Sequence, residues 1–149
     1  MATGETTTVD IVLFDGFDEL DAIGPYEVLQ NAAAAGADLE VRLVTLEDTD
    51  SVTASHELAV GTQGTLSADA DVLLIPGGGW NDGSDVGARA AAHSPDLLDA
   101  VRAAHDRGAI VTSVCTGAMI LAAAGVLAGS RATTHRGAID DLEASEATV

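Results

Sequence analysis

The stretch AIVTSVCTGAMILAAAGVL, residues 109–127, decides the fold class and contains the only cysteine of the chain. Residues 109–115 form a short apolar run with β-branched side chains, which predicts a buried strand. Residues 116–127 follow a helical pattern, so Cys115 lies at a strand-to-helix turn. A cysteine at such a turn is either a small buried hydrophobe or an exposed nucleophile, and this stretch alone leaves both interpretations open.

The same alternation of strand and helix runs through the rest of the chain. Ser94 is the expected cap of a helix over 94–108, with Pro95 in its first position, and Pro25 is expected in the first turn of a helix within 18–37. Continuous apolar strands between helices predict a parallel sheet covered on both faces. The other predicted elements are strands at 9–14, 40–46, 71–75 and 131–135, a small hairpin within 51–66 and a helix at 137–144.

Chemically useful residues follow three of the predicted strands. The acidic segment 15–21 follows the first strand, the glycines 77–79 follow the third, and Cys115 follows the fourth. Binding sites of parallel α/β sheets form outside the carboxyl ends of the strands. We therefore expect these three segments to meet in one site.

Each segment suggests a role and an ordinary alternative. Cys115 precedes a helix, whose N-terminus favours the thiolate, so its pKa is expected to fall below the usual value of ~8.5. The glycines lack the spacing of a nucleotide-binding loop, so they either form a simple turn or offer backbone N–H groups to an anion. The four acids of 15–21 are either solvated surface groups or, in the case of Asp21, which lies among apolar residues, a group that exchanges a proton with a thiol or substrate.

The histidines show no pattern typical of a metal site. His56, His93 and His105 lie in polar surroundings and are expected at the surface. His135 ends the segment RATTH and either orients a group at the site or packs as a polar residue. Because the chain has no HExxH motif and no cysteine pair, we predict neither a metal nor a cofactor.

Composition and charge restrict the partners of this protein. The length of 149 residues favours one domain. The formal net charge of −18, with six arginines and no lysine, favours a surface hydrated in high salt. Nucleic acids and anionic membranes are therefore poor partners. No apolar run approaches the ~18 residues of a membrane span, and the single cysteine suits the cytoplasm. Aromatic residues make up only 3% of the chain, which predicts an aliphatic pocket.

Three segments together resemble the DJ-1/PfpI (ThiJ) superfamily. They are FDGFDELDAIGPYEVL (14–29), LLIPGGG (73–79) and VTSVCTGAMILAAAGVLAGSRATTH (111–135), in the family's order and at its usual separations. The resemblance implies a flavodoxin-like α/β fold, a three-layer sandwich of the class I glutamine amidotransferase type with a mostly parallel sheet. It also implies a homodimer, with Cys115 as the nucleophile on a strained turn and Asp21 as its acidic partner. Gly78 and Gly79 would supply backbone N–H groups, with Thr116 beside the cysteine.

Details of the motifs point to one branch of the superfamily. Thr116 stands where protease-like members have histidine, which argues against a protease. Asp21, together with VCTGA and ATTH, resembles the isocyanide hydratase branch, although Arg136 stands where such members often have tryptophan. The pattern also occurs in AraC-type regulators, whose DNA-binding domain this chain has no room for.

The resemblance also suggests domain boundaries. We expect a flexible leader over 1–8 and a single domain over 9–149. Family members usually continue for several tens of residues beyond Leu142, so this domain is expected to lack their C-terminal strand and helix.

Three functions follow from the resemblance, each with a small molecule as substrate or ligand. The first is hydration of an isocyanide to an N-substituted formamide, with attack by Cys115 and protonation by Asp21. The second is a glyoxalase-type conversion of methylglyoxal. The third is a sensor that does not catalyse a reaction, in which Cys115 oxidises to a sulfinate.

Overall fold

The computed structural model describes residues 4–149 and shows one α/β domain. Its strands are β1 (Thr7–Val12), β2 (Leu39–Val44), β3 (Ser51–Thr53), β4 (Ala59–Gly61), β5 (Val72–Ile75) and β6 (Ile110–Ser113). Its helices are α1 (Glu19–Ala34), α2 (Ala88–Ala91), α3 (Pro95–Asp106), α4 (Gly117–Ala123) and α5 (Ile139–Glu143), with a 3₁₀ turn at Arg136–Ala138. Residues 1–3 of the expected leader lie outside the described residues, whereas residues 7 and 8 already belong to β1.

Four parallel strands form the main sheet in the order β2-β1-β5-β6, which is the flavodoxin-like order. Val9 in β1 pairs with Val41 of β2 on one side and with Val72 of β5 on the other. The strand order reverses beside β1, which opens a crevice at the carboxyl ends of β1 and β5. The predicted small hairpin is present as the antiparallel pair β3-β4.

Helices cover both faces of this sheet. Ile11 and its neighbour Val12 point to opposite faces, as successive residues of a strand must. Ile11 belongs to the apolar cluster that contains Ala22 of α1, and Val12 belongs to the cluster that contains Leu97 and Val101 of α3. The result is a three-layer sandwich, with α1 and the β3-β4 hairpin on one side and α2, α3 and α4 on the other.

Local signals set the ends of the two long helices. Ser94 caps α3 by accepting a hydrogen bond from the Leu97 N–H, and Pro95 occupies the first position, as predicted. Asp18 caps α1 in the same way through the Leu20 N–H, at 3.1 Å. Pro25 lies inside α1 and not in its first turn, because the helix begins at residue 19, earlier than its proline suggested.

The C-terminal third of the chain differs most from expectation. The segment 131–135 is not a strand, since only Arg131 forms a bridge, with Thr148. Helix α4 ends at Ala123 and not at residue 127, and Gly125 follows in a left-handed conformation with φ 80°. Within residues 4–149, the helices are all too short or too polar to cross a membrane.

Candidate active site

Cys115 lies on a sharp turn between the end of β6 and the start of α4. Its φ is 55°, in the left-handed region that residues with a side chain seldom adopt. The Thr134 hydroxyl donates a hydrogen bond to the Cys115 carbonyl oxygen at 3.0 Å and so ties the turn to the segment before the 3₁₀ helix. The cysteine is half-buried, which leaves part of the side chain open to a ligand.

Two glycines allow the loops around Cys115 to approach one another closely. A Cβ atom on Gly117 would lie 2.1 Å from the Ile75 carbonyl oxygen, so only glycine lets α4 begin against the end of β5. Gly78 has a φ of 114°, and a Cβ atom there would lie 2.5 Å from the Asp18 nitrogen. These contacts bring the carboxyl ends of β5 and β6 and the start of α1 together at one point.

Asp21 faces Cys115 from the first turn of α1. Its carboxylate accepts a hydrogen bond from the Gly77 N–H at 3.2 Å, and it lies close enough to the Cys115 thiol to affect the pKa of that thiol. Burial raises the pKa of Asp21 above its usual value, and the negative charge of Asp18 raises it further. The hydrogen bond from Gly77 and the interactions with Cys115 and His135 oppose this rise without cancelling it.

The pKa of Cys115 is raised, contrary to the sequence-based expectation. Burial is the largest cause, and the charge of Asp21 and its hydrogen bond act in the same direction. The backbone N–H and the side chain of Thr116 lower the thiol pKa through hydrogen bonds, but by less. The expectation was wrong because it counted the N-terminus of α4, a helix of only seven residues, and not the burial or the neighbouring carboxyl.

Thr116 links the glycine loop to the thiol. Its hydroxyl accepts a hydrogen bond from the Gly78 N–H at 2.9 Å, while the residue itself is buried. The Gly78 N–H therefore supports Thr116 and does not point to a bound anion. The Gly79 N–H has no hydrogen-bond acceptor among residues 4–149, so of the two glycines only Gly79 has a free donor.

A cleft of about 270 Å³ opens at the thiol. It brings together five of the predicted site residues, while Asp21 reaches Cys115 from the α1 side. The lining residues are Gly78, Gly79, Trp80, Asn81, Asp82, Cys115, Thr116 and His135. A larger cavity of about 490 Å³ lies at the ends of β1 and β2, but it has no cysteine or histidine, so we place the site at the smaller cleft.

His135 lines this cleft, and one of its ring nitrogens is held by a backbone N–H. Its Nδ1 accepts a hydrogen bond from the Gly137 N–H at 3.1 Å. An accepting Nδ1 places the proton of the neutral ring on Nε2. His135 thus enters the site through the turn that it caps, and not through the strand predicted for 131–135.

Sequence reasoning missed Trp80 and Asn81, which line the cleft directly after the glycine loop. The expectation of an aliphatic pocket was wrong, because the only tryptophan of the chain lies beside the thiol. The position of Trp80, next to glycines already assigned to the site, was the signal that could have identified it.

A second cluster of polar groups forms next to the site. Asp18, Glu19 and His56 approach one another closely, although no motif links them in the sequence. The Glu19 carboxylate lies 2.6 Å from His56 Nδ1, and its hydrogen bonds with His56 and Ser55 outweigh the effect of burial and lower its pKa to about 2. This pair joins the start of α1 to the β3-β4 hairpin, and His56 is exposed as predicted.

Comparisons with known proteins agree with this architecture. The chain is 40% identical over 129 residues to a Streptomyces lividans protein named for the cpoL 5′ region, covering 85% of this chain and 86% of that protein. It is 36% identical over 129 residues to the isonitrile hydratase of Pseudomonas putida, covering 85% of this chain and 51% of the enzyme. The chain therefore spans about half the length of that enzyme.

Solved structures extend the likeness to the fold. A ThiJ/PfpI family protein from Pseudomonas syringae superposes with a TM-score of 0.82 at 28% identity, covering 97% of this chain and 56% of that one. Drosophila melanogaster DJ-1beta superposes with a TM-score of 0.81 at 22% identity, covering 97% and 74%. The sequence model of the DJ-1/PfpI family matches residues 7–149. The chain belongs to the DJ-1/PfpI family.

Proposed function

We propose that this protein is a cysteine-dependent hydratase that converts an isocyanide to an N-substituted formamide. The observation that carries the proposal is the turn that places Cys115 at the cleft, with Asp21 near enough to raise the pKa of its thiol. It is supported by the 36% identity to the isonitrile hydratase of Pseudomonas putida. Because the chain covers 51% of that enzyme, its activity is inferred here and not transferred.

The first step joins the thiol to the terminal carbon of the isocyanide. Cys115 Sγ supplies the electron pair for the new S–C bond, and Asp21 supplies the proton that the same carbon takes up. The product is a thioimidate, Cys115–S–CH=N–R, which contains every atom of the thiol and the isocyanide. Covalent attachment divides a difficult addition of water into two easier steps.

The second step releases the product. Water adds to the thioimidate carbon, one of its two protons ends on the nitrogen and the other on the sulfur, and the C–S bond breaks to give the formamide and free Cys115. The carboxylate of Asp21, left by the first step, accepts the proton of the attacking water and returns it to the leaving sulfur. The free N–H of Gly79 and Nε2–H of His135 are the donors best placed to bind charge that develops in the cleft.

The raised pKa values of the two groups suit this sequence of steps. We propose that one proton moves between Asp21 and Cys115 during the reaction, since each group affects the pKa of the other. When Asp21 holds that proton, it stops repelling the thiolate and donates a hydrogen bond to Sγ. When the thiolate attacks the isocyanide, the sulfur loses its negative charge and the proton of Asp21 moves to the isocyanide carbon.

Turnover of phenyl isocyanide to formanilide, measured in high salt, tests the proposal. The Cys115→Ala variant removes the nucleophile and should abolish turnover. His105→Ala is the control and should retain it, because His105 is exposed near the end of α3, at the opposite edge of the sheet from Cys115. Full activity of Cys115→Ala, or no turnover by folded wild-type protein, would overturn the hydratase. Lactate formed from methylglyoxal, or a mass gain of two oxygens at low peroxide, would then identify one of the two other functions.

A further inference from the structure

The indole of Trp80 is held rigidly at the wall of the cleft. Its Nε1–H donates a hydrogen bond to Asp141 Oδ2 at 2.7 Å, and the guanidinium carbon of Arg89 lies 4.3 Å from the ring centroid. Arg89 Nε also donates to the Trp80 carbonyl oxygen at 2.5 Å. The ring is thus fixed through its edge, one face and its backbone.

The same loop fixes the opposite end of the site. Asn81 Nδ2 donates to the Gly137 carbonyl oxygen at 2.6 Å, and the Gly137 N–H donates to His135 Nδ1. Arg89 Nη2 lies 3.4 Å from Asn81 Oδ1 and therefore braces both neighbours. A ligand bound covalently to Cys115 meets an aromatic surface that is already in position. Because Trp80 is already ordered, the contact costs no further side-chain entropy of the tryptophan.

We propose that Trp80 determines substrate specificity and that the substituent on the isocyanide nitrogen is a single planar ring without negative charge. This inference rests on the proposed function. Planar groups gain from stacking or edge-to-face contact with an indole beyond the area that they bury. The cleft, at about 270 Å³, lies near the small end of ligand pockets and so suits one ring. Asp82 in its lining and the net charge of −18 disfavour an anionic substituent.

The first test uses the thiol without any isocyanide chemistry. Cys115 is the only cysteine, so its alkylation by iodoacetanilide and by N-cyclohexyl iodoacetamide can be compared directly, each rate divided by that with glutathione. Wild-type protein should favour the aryl reagent. Trp80→Leu should lose about two- to tenfold of this preference, the range that aromatic pairing supplies, and Trp80→Phe should keep most of it. Equal preference in wild type and Trp80→Leu would overturn the inference.

A second measurement needs no variant and so does not depend on whether a variant folds. Trp80 is the only tryptophan, and its fluorescence reports on the cleft. Formanilide should change this emission at lower concentration than N-cyclohexylformamide. Identical titrations would contradict the proposed aromatic contact.

The outcomes separate this inference from the hydratase itself. Aryl preference in alkylation without turnover of any isocyanide retains the role of Trp80 and removes the hydratase. Turnover with the same ratio of kcat/KM for phenyl and cyclohexyl isocyanide in wild type and Trp80→Leu retains the hydratase and removes the role of Trp80.

Discussion

Cys115 stores backbone strain at the point where the proposed chemistry takes place. A residue with a side chain in the left-handed region costs of order 1–3 kcal/mol, and the φ of 55° at Cys115 lies in that region. The surrounding contacts, among them the hydrogen bond from Thr134, must therefore hold the turn in place. The strain fixes the direction in which Sγ points.

This strain predicts different stabilities for two inactive variants. Cys115→Gly should unfold at higher urea concentration than Cys115→Ala, with a gain in the free energy of unfolding of about 1 kcal/mol, because glycine adopts a positive φ without steric cost. Urea denaturation followed by circular dichroism measures the difference. Equal midpoints would mean that the turn is not strained.

The pair of raised pKa values predicts opposite effects of Asp21→Asn on reactivity and on turnover. The negative charge of Asp21 raises the pKa of Cys115. Without this charge, the thiol should titrate at lower pH and react faster with iodoacetamide at neutral pH. Hydration should nevertheless fall by at least about 100-fold, because the proton donor is lost. Alkylation rates against pH and turnover, measured on the same sample, check both effects.

Stability gives an independent control on the state of Asp21. Since its folded pKa is raised, the carboxyl contributes stability that is fully present below the usual pKa of 3.8 and is lost as pH rises through the raised value. In Asp21→Asn, the free energy of unfolding should therefore fall less as pH rises from 3.8 through the raised pKa of Asp21. Slower alkylation of Cys115 in Asp21→Asn, or an unchanged pH dependence of unfolding, would contradict the interaction of Asp21 with Cys115.

The family resemblance implied that Asp21 is the acidic partner of Cys115, but the sequence-based expectation had the wrong direction for the thiol pKa. Cys115 and Asp21 each lie in a short motif that can be recognised from the sequence. The direction of the shift depends on how deeply the thiol is buried and on how near the carboxyl lies, and both follow from packing between α1, β5 and β6. The same limit explains why Trp80 was missed, since its place in the wall depends on Arg89, nine residues away, and on Asp141, distant in sequence.

At the scale of elements, the site depends on how closely α4 starts against β5. Gly117→Ala should destabilise the protein by about 1–3 kcal/mol, because its new methyl group overlaps the Ile75 carbonyl oxygen, although alanine favours a helix. It should also lower turnover by displacing Cys115. Chemical denaturation and steady-state kinetics measure the two effects.

Gly24→Ala is the matched control for that substitution. Gly24 lies inside α1, and the nearest atom to a new Cβ would be Leu20 Cδ1 at 3.6 Å, an ordinary contact. Here helix propensity should prevail and stabilise the protein by about 0.5–1 kcal/mol without loss of activity. Stabilisation by both substitutions would show that α4 is not tightly apposed to β5.

Elements with their own start and stop signals were predictable, and those without them were not. Ser94 and Pro95 mark the beginning of α3 in the sequence itself, and the structure agrees. Helix α2 has four residues and a glycine N-cap that makes no side-chain hydrogen bond, so no local pattern announces it. The segment 131–135 has the residue types of a strand, but its only bridge depends on Thr148.

For the whole molecule, the family resemblance implies a homodimer, and two exposed apolar side chains of α1 mark a candidate surface for it. Leu20 and Val28 lie two turns apart on α1, and both are exposed, at 75% and 67%. We propose that a second copy covers this face in a homodimer. Light scattering should give twice the mass of the chain for wild type and the monomer mass for Leu20→Glu/Val28→Glu; a monomeric wild type would contradict the dimer.

Net charge predicts how the whole fold responds to salt. The chain has 24 acidic residues and only six arginines, and Arg42 forms an ion pair with buried Asp10 at 2.9 Å. Most surface carboxylates therefore repel one another. Screening lengths shrink from ~10 Å at 0.1 M salt to ~3 Å at 1 M, which removes most of that repulsion. The free energy of unfolding should therefore rise by about 1–3 kcal/mol between these concentrations, as the sum of several surface charge interactions.

Salting-out of apolar groups also stabilises proteins, and a titration at lower pH separates it from charge screening. At about pH 4.5 many carboxylates carry a proton, so the repulsion is smaller while the apolar effect persists. Urea denaturation in increasing sodium chloride should then give a steeper rise of stability at neutral pH than at low pH. Equal slopes would assign the salt response to apolar burial, and the acidic surface would no longer indicate adaptation to high salt.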